Sequence, residues 1–469
     1  AVSASWHEPL SVIALLNPGA LPKTSSGKLQ RAACRQGWRE RTLDAYAIYE
    51  HGSYLLGGGI QPVQALTDET EIALAAIWET VLKRTGLVRE DHFFAIGGNS
   101  LAAVQAAARI ADRWEIDFPV RSLFESSRLH ECAMEIKHRL ATGTPRRNAD
   151  IRILPTEYRA HSLPLSFGQQ RQWFLWQLDP SSTAYHIKHA LRLTGMLDIQ
   201  ALHAGFDGLM ERHESLRTVF RPGKDGAAEQ VIQSVLQIDI VHLDLRQVAV
   251  SEREMQAAQE AQRIVAAPFD LTQGPLLRVA LLRIADQENI LVIVMHHIVS
   301  DGASMQILVD EFAARYLAHV QGKSVHLEAL PIQYSDYAIW QRGWLDGGKR
   351  GRKLAYWRDY LGNPHPVLAL PADHPRKPIA HYQAARHAFD LPADLVSGVR
   401  RMAQGRGATL FMALLAGFNA LLYRHTGQQD IRVGVPIANR NRVETAGLIG
   451  FFVNTQVLRS EIHGRMALA

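Results

Sequence analysis

Three short stretches of the sequence place reactive side chains where chemistry can use them. In Met295 to Gly302 (MHHIVSDG) an adjacent pair, His296 and His297, is followed by Asp301 and Gly302. Imidazole is the side chain whose proton moves near neutral pH. Neighbouring side chains of an extended segment point to opposite faces, so only one of the two histidines can face a given cleft. Asp301 can orient a ring or pair with an arginine; a packed histidine beside a helix-capping aspartate has the same spelling and no chemistry. In Asp91 to Leu101 (DHFFAIGGNSL), Ser100 follows a Gly-Gly-Asn turn at the first turn of a predicted helix. Free amide donors and the positive dipole end there suit an anion, such as a phosphodiester on Ser100. Gly97 and Gly98 permit backbone angles that leave the hydroxyl open. A capping serine is the plain alternative. In Leu21 to Arg31 (LPKTSSGKLQR), Gly27-Lys28 invites a phosphate-loop reading. Leu29 stands where that loop needs Ser or Thr, so the motif is absent and Lys28 reads as a surface lysine.

The elements that must present these residues follow from periodicity. An apolar strand over Ile290 to Val294 ends at the histidine pair, and Asp301 or Ser304 can cap the next helix; strand-end loops commonly present catalytic groups. Further strands are expected over Ser11 to Leu16 and Ile431 to Val435, with helices near 201–212, 251–266, 303–319 and 409–423. Strands alternating with helices after residue 150 read as α/β. Ahead of them, Thr67 or Asp68 can cap a helix with Ile72, Ala75, Ala76 and Leu82 as its apolar face. Phe93 and Phe94 sit in a loop, and Ser100 opens a helix with Leu101, Val104 and Ala108 on one face. A short helical piece and a helix over Leu129 to Leu140 complete a four-helix bundle. Residues 35–65, with Leu55-Leu56-Gly57-Gly58-Gly59 and Pro62, have linker composition, as do 141–150.

Composition narrows the classes. A chain of 469 residues suggests about two to four domains, and 47% hydrophobic with 21% charged residues is ordinary globular make-up, enough for a core. A net charge of +5 with no long basic run gives no nucleic-acid stripe. The histidines lack metal-ligand spacing. Cys34 and Cys132 stand apart without a CxxC partner and read as reduced thiols, hence a cytoplasmic protein. Glu8 and Pro9 interrupt the start, which is no signal peptide. The apolar stretch Thr409 to Tyr423 contains Asn419 and falls short of the roughly 20 residues needed to span a bilayer. No membrane association is expected.

The three strings, taken whole, resemble parts of nonribosomal peptide synthetases. DHFFAIGGNSL resembles carrier (thiolation) domains, whose serine bears 4′-phosphopantetheine; the resemblance implies a covalent arm on Ser100, added by a phosphopantetheinyl transferase. HHxxxDG, filled by His296, His297, Asp301 and Gly302, resembles the active-site motif of condensation domains, and also occurs in epimerization domains and chloramphenicol-acetyltransferase-type enzymes. LSFGQQRQWFLWQLDP (Leu165 to Pro180), RHESLRTVF (Arg212 to Phe220), YSDYAIWQR (Tyr334 to Arg342) and IGFFVNTQVLR (Ile449 to Arg459) are similar to four further condensation motifs, in order. Trp173, Phe174 and Trp176 are read mostly as core. LPKTSSGKLQR resembles the last adenylation motif, which makes Lys28 a residue of adenylate formation; ATP and Mg belong only to the complete parent adenylation domain.

The resemblance implies a multidomain chain: an α+β adenylation tail (1–33), a linker (34–65), a four-helix carrier domain (66–140), a linker (141–160) and an α/β chloramphenicol-acetyltransferase-like condensation domain (161–469). Its second lobe is expected to be truncated, so that residues 1–469 alone would form peptide bonds poorly. It implies amine attack on a carrier-bound thioester, with His297 as general base or amine-positioning group and Asp301 mainly structural. Arg440, in IANRNR (Ile437 to Arg442), is nominated as the ion-pair partner of Asp301. HHIVSDG and GGNSL resemble the versions joining two L-residues; epimerization, or a carrier with a non-catalytic scaffold, are the alternatives. Implied partners are an upstream adenylation core, a downstream carrier domain, and aminoacyl and peptidyl thioesters.

Overall fold

The structure is a computed structural model that describes residue 66 and residues 68–98, 100–143, 151–223, 226–234, 237–374 and 387–466, together with three strands nearer the start. Lys28 lies outside the described residues. Contacts divide the chain into two units, residues 1–98 with 121–143 and residues 99–120 with 144–469.

In the first unit, β1 (Val12–Leu16), β2 (Ala45–Glu50) and β3 (Ser53–Leu55) form an antiparallel sheet in that order. Two of these strands fall in the stretch read as linker, which is a correction: the Tyr- and Ile-bearing run AYAIYE has strand propensity, and the glycines after Leu55 masked it. The helix Glu69–Leu82 is capped by Asp68, whose carboxylate accepts from the Thr70 and Glu71 amides at 3.0 and 3.1 Å. Its buried face is Glu71, Leu74, Ala75 and Trp78, while Ile72 is exposed. The expected face is therefore rotated. Trp78 anchors it, and Glu71 is tolerated because Arg89 pairs with it at 2.9 Å. Trp78 meets Phe93 edge-on at 4.9 Å, and Phe94 stacks on Phe124 at 4.5 Å. The helices Val120–Glu125 and Leu129–Ala141 follow.

The second unit opens with the helix Ser100–Trp114. Ala102, Ala103, Ala106, Ala107 and Ile110 are its buried stripe, rather than one through Val104 and Ala108. Small side chains carry this face, so a search for large apolar residues overlooks it. The strands of the unit are β4 (Leu163–Pro164), β5 (His186–Thr194), β6 (Thr218–Pro222), β7 (Ala228–Ile232), β8 (Ile240–Asp244), β9 (Leu277–Ala285), β10 (Glu288–His296), β11 (Asp430–Ile437) and β12 (Asn454–Glu461). Strands and helices alternate as read, but pairing is mostly antiparallel. The main sheet runs β5-β10-β9-β8, and only β8 and β9 pair in parallel among the described strands.

Both faces of that sheet are covered. Leu277, Val279, Leu281, Leu291, Ile293 and Met295 pack with the helices Ile199–Arg212 and Gly302–Val320. Ala280, Leu282, Val292 and Val294 pack on the other side with Trp173 and with Ile264 of the helix Arg253–Ala266. A strand covered on both faces reads as an unbroken apolar run rather than an alternating one. That is why β10 delivers the histidine pair from a rigid floor.

Candidate active site

β10 ends at His296, and His297 opens a single 3₁₀ turn, His297–Val299. The change of backbone direction separates the two rings. His296 is buried, and its Nδ1 accepts from the Ile298 amide at 3.1 Å. Burial first, then the neighbouring His186 and His297, push its pKa down to about 3, so it is neutral near pH 7. The His297 ring is half-buried and lies edge-on against Phe451, with centroids 4.8 Å apart. Its Nδ1 is 2.8 Å from the Ser300 carbonyl oxygen. A carbonyl can only accept, so Nδ1 carries the hydrogen and Nε2 keeps a lone pair. That arrangement can take a proton from a nucleophile at Nε2.

Asp301 faces elsewhere. It caps the helix Gly302–Val320, where Oδ1 accepts from the Ser304 amide at 2.9 Å and its hydroxyl at 2.8 Å. Arg440 Nη2 donates to the same oxygen at 2.9 Å, and the Phe452 amide donates to Oδ2 at 3.2 Å. Arg440 also donates to the carbonyls of Thr445 and Leu448 at 2.8 and 2.7 Å, and lies 4.2 Å above the Phe452 ring. Ser304 Oγ reaches Gly450 through both its carbonyl (3.0 Å) and its amide (3.1 Å). Tyr334 OH donates to the Phe451 carbonyl at 2.6 Å. These bonds fix residues 448–452, and that segment carries the ring beneath His297. Gly302, by contrast, is exposed, and a Cβ there would meet nothing within 4 Å. The space beside the histidine turn stays open.

Sequence reading brought out His296, His297, Asp301, Gly302 and Arg440, and all five lie in this region. The sequence presents Ser304 only as an alternative helix cap, and Tyr334, Gly450 and Phe451 only within longer motifs; their roles in this site arise from contacts over a hundred residues apart. The available signal was Gly450 between Ile449 and Phe451: a Cβ there would collide with the Tyr334 ring. Of the aromatic cluster, Trp173 is buried and Trp176 donates to the Phe269 carbonyl at 3.1 Å, but Phe174 is 58% exposed. Phe174 is not core.

Ser100 is the first residue of its helix. In the preceding loop Gly97 has φ +116°, which disfavours any side chain, and a Cβ on Gly98 would strike the Phe93 ring and carbonyl. The Phe93 amide donates to the Ser127 carbonyl at 2.8 Å and the Gly98 amide to the Phe93 carbonyl at 2.9 Å. Gly97 and Gly98 precede the helix Ser100–Trp114 along the chain, and a helix start headed by serine suits a covalently held phosphodiester. Among the described residues no group of three or more His, Cys, Asp or Glu can hold a metal ion, and no helix is long and apolar enough to cross a membrane.

The family model for the condensation domain matches residues 159–469, and that for the phosphopantetheine attachment site matches residues 73–133. The chain is 44% identical to a component of the linear gramicidin synthase of Brevibacillus parabrevis over 85% of its length, and spans 8% of that protein. It is 39% identical to the phosphinothricin tripeptide synthetase PhsB of Streptomyces viridochromogenes, covering 84% of this chain and 33% of the relative. Among solved structures, the X-domain from teicoplanin biosynthesis superposes with a TM-score of 0.61 at 26% identity, over 68% of this chain and 69% of that one. The first condensation domain of the calcium-dependent antibiotic synthetase superposes with a TM-score of 0.57 at 23% identity, over 66% and 72%. The chain therefore belongs to the condensation-domain family of nonribosomal peptide synthetases and carries a phosphopantetheine attachment site ahead of that domain.

Proposed function

We propose that Ser100 carries an aminoacyl or peptidyl group on 4′-phosphopantetheine and that the condensation domain joins a carrier-bound acyl group to an amine at His297. The arm supplies reach and a thiol; the chain's own residues supply position and proton transfer. Ser100 stands at the start of the helix Ser100–Trp114, where the arm would leave the chain. As the amine nitrogen attacks the thioester carbon, the C–N bond forms, the amine proton passes to His297 Nε2, and the C–S bond breaks. The sulfur leaves as a thiol by taking up a proton, giving amide plus thiol. General-base help of this kind typically contributes about 10²–10⁴-fold. Holding two tethered reactants together contributes much of the remainder.

The observation that carries the reading is the hydrogen bond from His297 Nδ1 to Ser300, which leaves Nε2 as the acceptor. Asp301 and Arg440 hold residues 448–452, and with them Phe451, without touching the reactants. The spellings HHIVSDG and GGNSL favour a join between two L-residues, which chiral analysis of the product checks. Partners are a phosphopantetheinyl transferase, an upstream adenylation core and a downstream carrier domain.

The carrier half is tested by incubating the chain with a phosphopantetheinyl transferase and coenzyme A and measuring intact mass. One added phosphopantetheine, mapped to Ser100 and lost in Ser100→Ala, is the expected result. A folded chain that stays unmodified, or is modified elsewhere, overturns the assignment.

A further inference from the structure

β10 carries one polar side chain where its pattern calls for a core residue. Leu291, Ile293 and Met295 pack with the helices Ile199–Arg212 and Gly302–Val320, and a period of two puts Asn289 on that same face. Asn289 is only 3% exposed. Its cross-strand neighbours are Leu193 in β5 and Arg283 in β9, and Asp244 of β8 lies opposite Arg283. Among the described residues the Asn289 side-chain amide has no hydrogen-bond partner. A buried polar group of that kind calls for an explanation. It lines a pocket of about 270 Å³, just under the roughly 300–1,000 Å³ of small-molecule sites. Met196, Leu197 and Ile199 form one wall and Leu281 another. The first wall is pinned, because the Gly195 amide donates to the Gln287 carbonyl and the Asp198 amide to Tyr316 OH, both at 2.8 Å. Met196 is 80% exposed, an apolar rim open to solvent. The charges at the other side cancel: Arg246 donates to Asp244 at 2.6 Å and to Asp286 at 2.7 Å, and Arg283 approaches Asp286 at 3.5 Å.

We propose that this pocket binds a small uncharged amide with an aliphatic side, read by Asn289 and Arg283. The Asn289 side chain offers an acceptor oxygen beside N–H donors. A ligand carboxamide presents the complementary edge, so two hydrogen bonds form together. Arg283 makes no hydrogen bond among the described residues, and its N–H groups can donate to a second ligand carbonyl. Met196, Leu197 and Ile199 cover the aliphatic part. Two carboxylates and two guanidiniums leave no net charge to draw an ion. A ligand carboxylate would sit beside Asp244 and Asp286 while Arg246 is committed to both, so like charges would oppose it. The pocket is remote from the chemistry: Asn289 and His297 stand at opposite ends of β10, about 25 Å apart along a strand rising about 3.3 Å per residue. The inference therefore stands whether or not His297 acts as the base.

The test titrates N-acetyl-leucinamide against the full chain and follows saturation transfer to its methyl signals by NMR. Saturable binding with a Kd of about 1 mM is the expected result for a ligand of this size. Asn289→Leu fills similar space without a polar atom; it should fold at least as stably as the wild type and weaken binding about 10-fold or more, as for loss of a hydrogen-bonded pair. Arg283→Met should weaken it as well. N-acetyl-leucinate, the same ligand ending in a carboxylate, should bind less tightly than the amide. Absence of saturable binding, or equal binding by wild type and Asn289→Leu, overturns the site. Tighter binding of N-acetyl-leucinate overturns the amide as the ligand class. Should Asn289→Leu fail to fold, Arg283→Met at its partly exposed position decides: unchanged binding there overturns the proposal, and weakened binding supports it.

Discussion

Arg440 and Asp301, 139 residues apart in sequence, form a buried ion pair at 2.9 Å, each about 1% exposed at the side chain. Their bonds run to each other and to the segment around them rather than to His297. The shared carboxylate and guanidinium tie the start of the helix Gly302–Val320 to residues 445–452. Breaking one partner of such a pair leaves a buried charge uncompensated, which typically costs about 3–5 kcal/mol. Arg440→Ala should therefore lower the denaturation midpoint of the condensation domain and its amide-forming rate together. Pairing Arg440→Gln with Asp301→Asn should cost less than the sum of the singles. Arg440→Ala without loss of solubility or activity would dismiss the pair.

Gly450 offers a finer probe of the same segment. Its missing Cβ leaves room for the Tyr334 ring, so Gly450→Ala forces overpacking, typically worth about 1–3 kcal/mol. Because Phe451 must move with its neighbour, condensation should slow more than the stability loss accounts for. Urea denaturation beside single-turnover rates would separate the two effects.

A corresponding position lies in the carrier part. Gly98→Ala would press a methyl group onto the Phe93 ring and carbonyl. The turn before Ser100 should open, and phosphopantetheine transfer should slow by roughly tenfold or more, a barrier change of about 1.4 kcal/mol or above. Transfer at the wild-type rate would mean that this turn does not present the serine.

Stability should depend on pH through the buried histidines. His296 is held down at about 3 by burial, and burial likewise lowers His213 and His186. Unfolded histidines take up protons below about 6.5. Between there and about pH 3 the unfolded chain binds more protons at His296 than the folded one, so stability falls as the pH drops. The slope approaches about 1.4 kcal/mol per pH unit per fully responding histidine. Urea midpoints at about pH 6.5 and about pH 4.5, on either side of that uptake, should differ, and His296→Gln should shrink the difference.

What the sequence made legible was local or repeated along the chain. The run before His296 is apolar because both faces of β10 are covered, and Asp301 announces a helix start by its place before Gly302. Arg440 was reachable only through the resemblance, since nothing local pairs it with a residue 139 positions away. The roles of Tyr334, Ser304 and Phe451 in the site were not legible for the same reason: the contacts that define them are tertiary. The face of the helix Glu69–Leu82 was misread because a charged Glu71 sits inside it, compensated by Arg89 from outside the window. β2 and β3 were concealed by neighbouring glycines that dominate the composition.

At the centre of the proposed function stands Nε2 of His297, assigned to take the proton as the amide forms. The direct measurement is single-turnover transfer, with the phosphopantetheinylated chain carrying a labelled aminoacyl group and an aminoacyl carrier as acceptor, comparing wild type with His297→Ala. His297 is half-buried and its ring bonds to backbone at Ser300, so the variant should fold normally. Its amide-forming rate should fall about 10²–10⁴-fold. Amide formation at an unchanged rate in the folded variant would contradict the account.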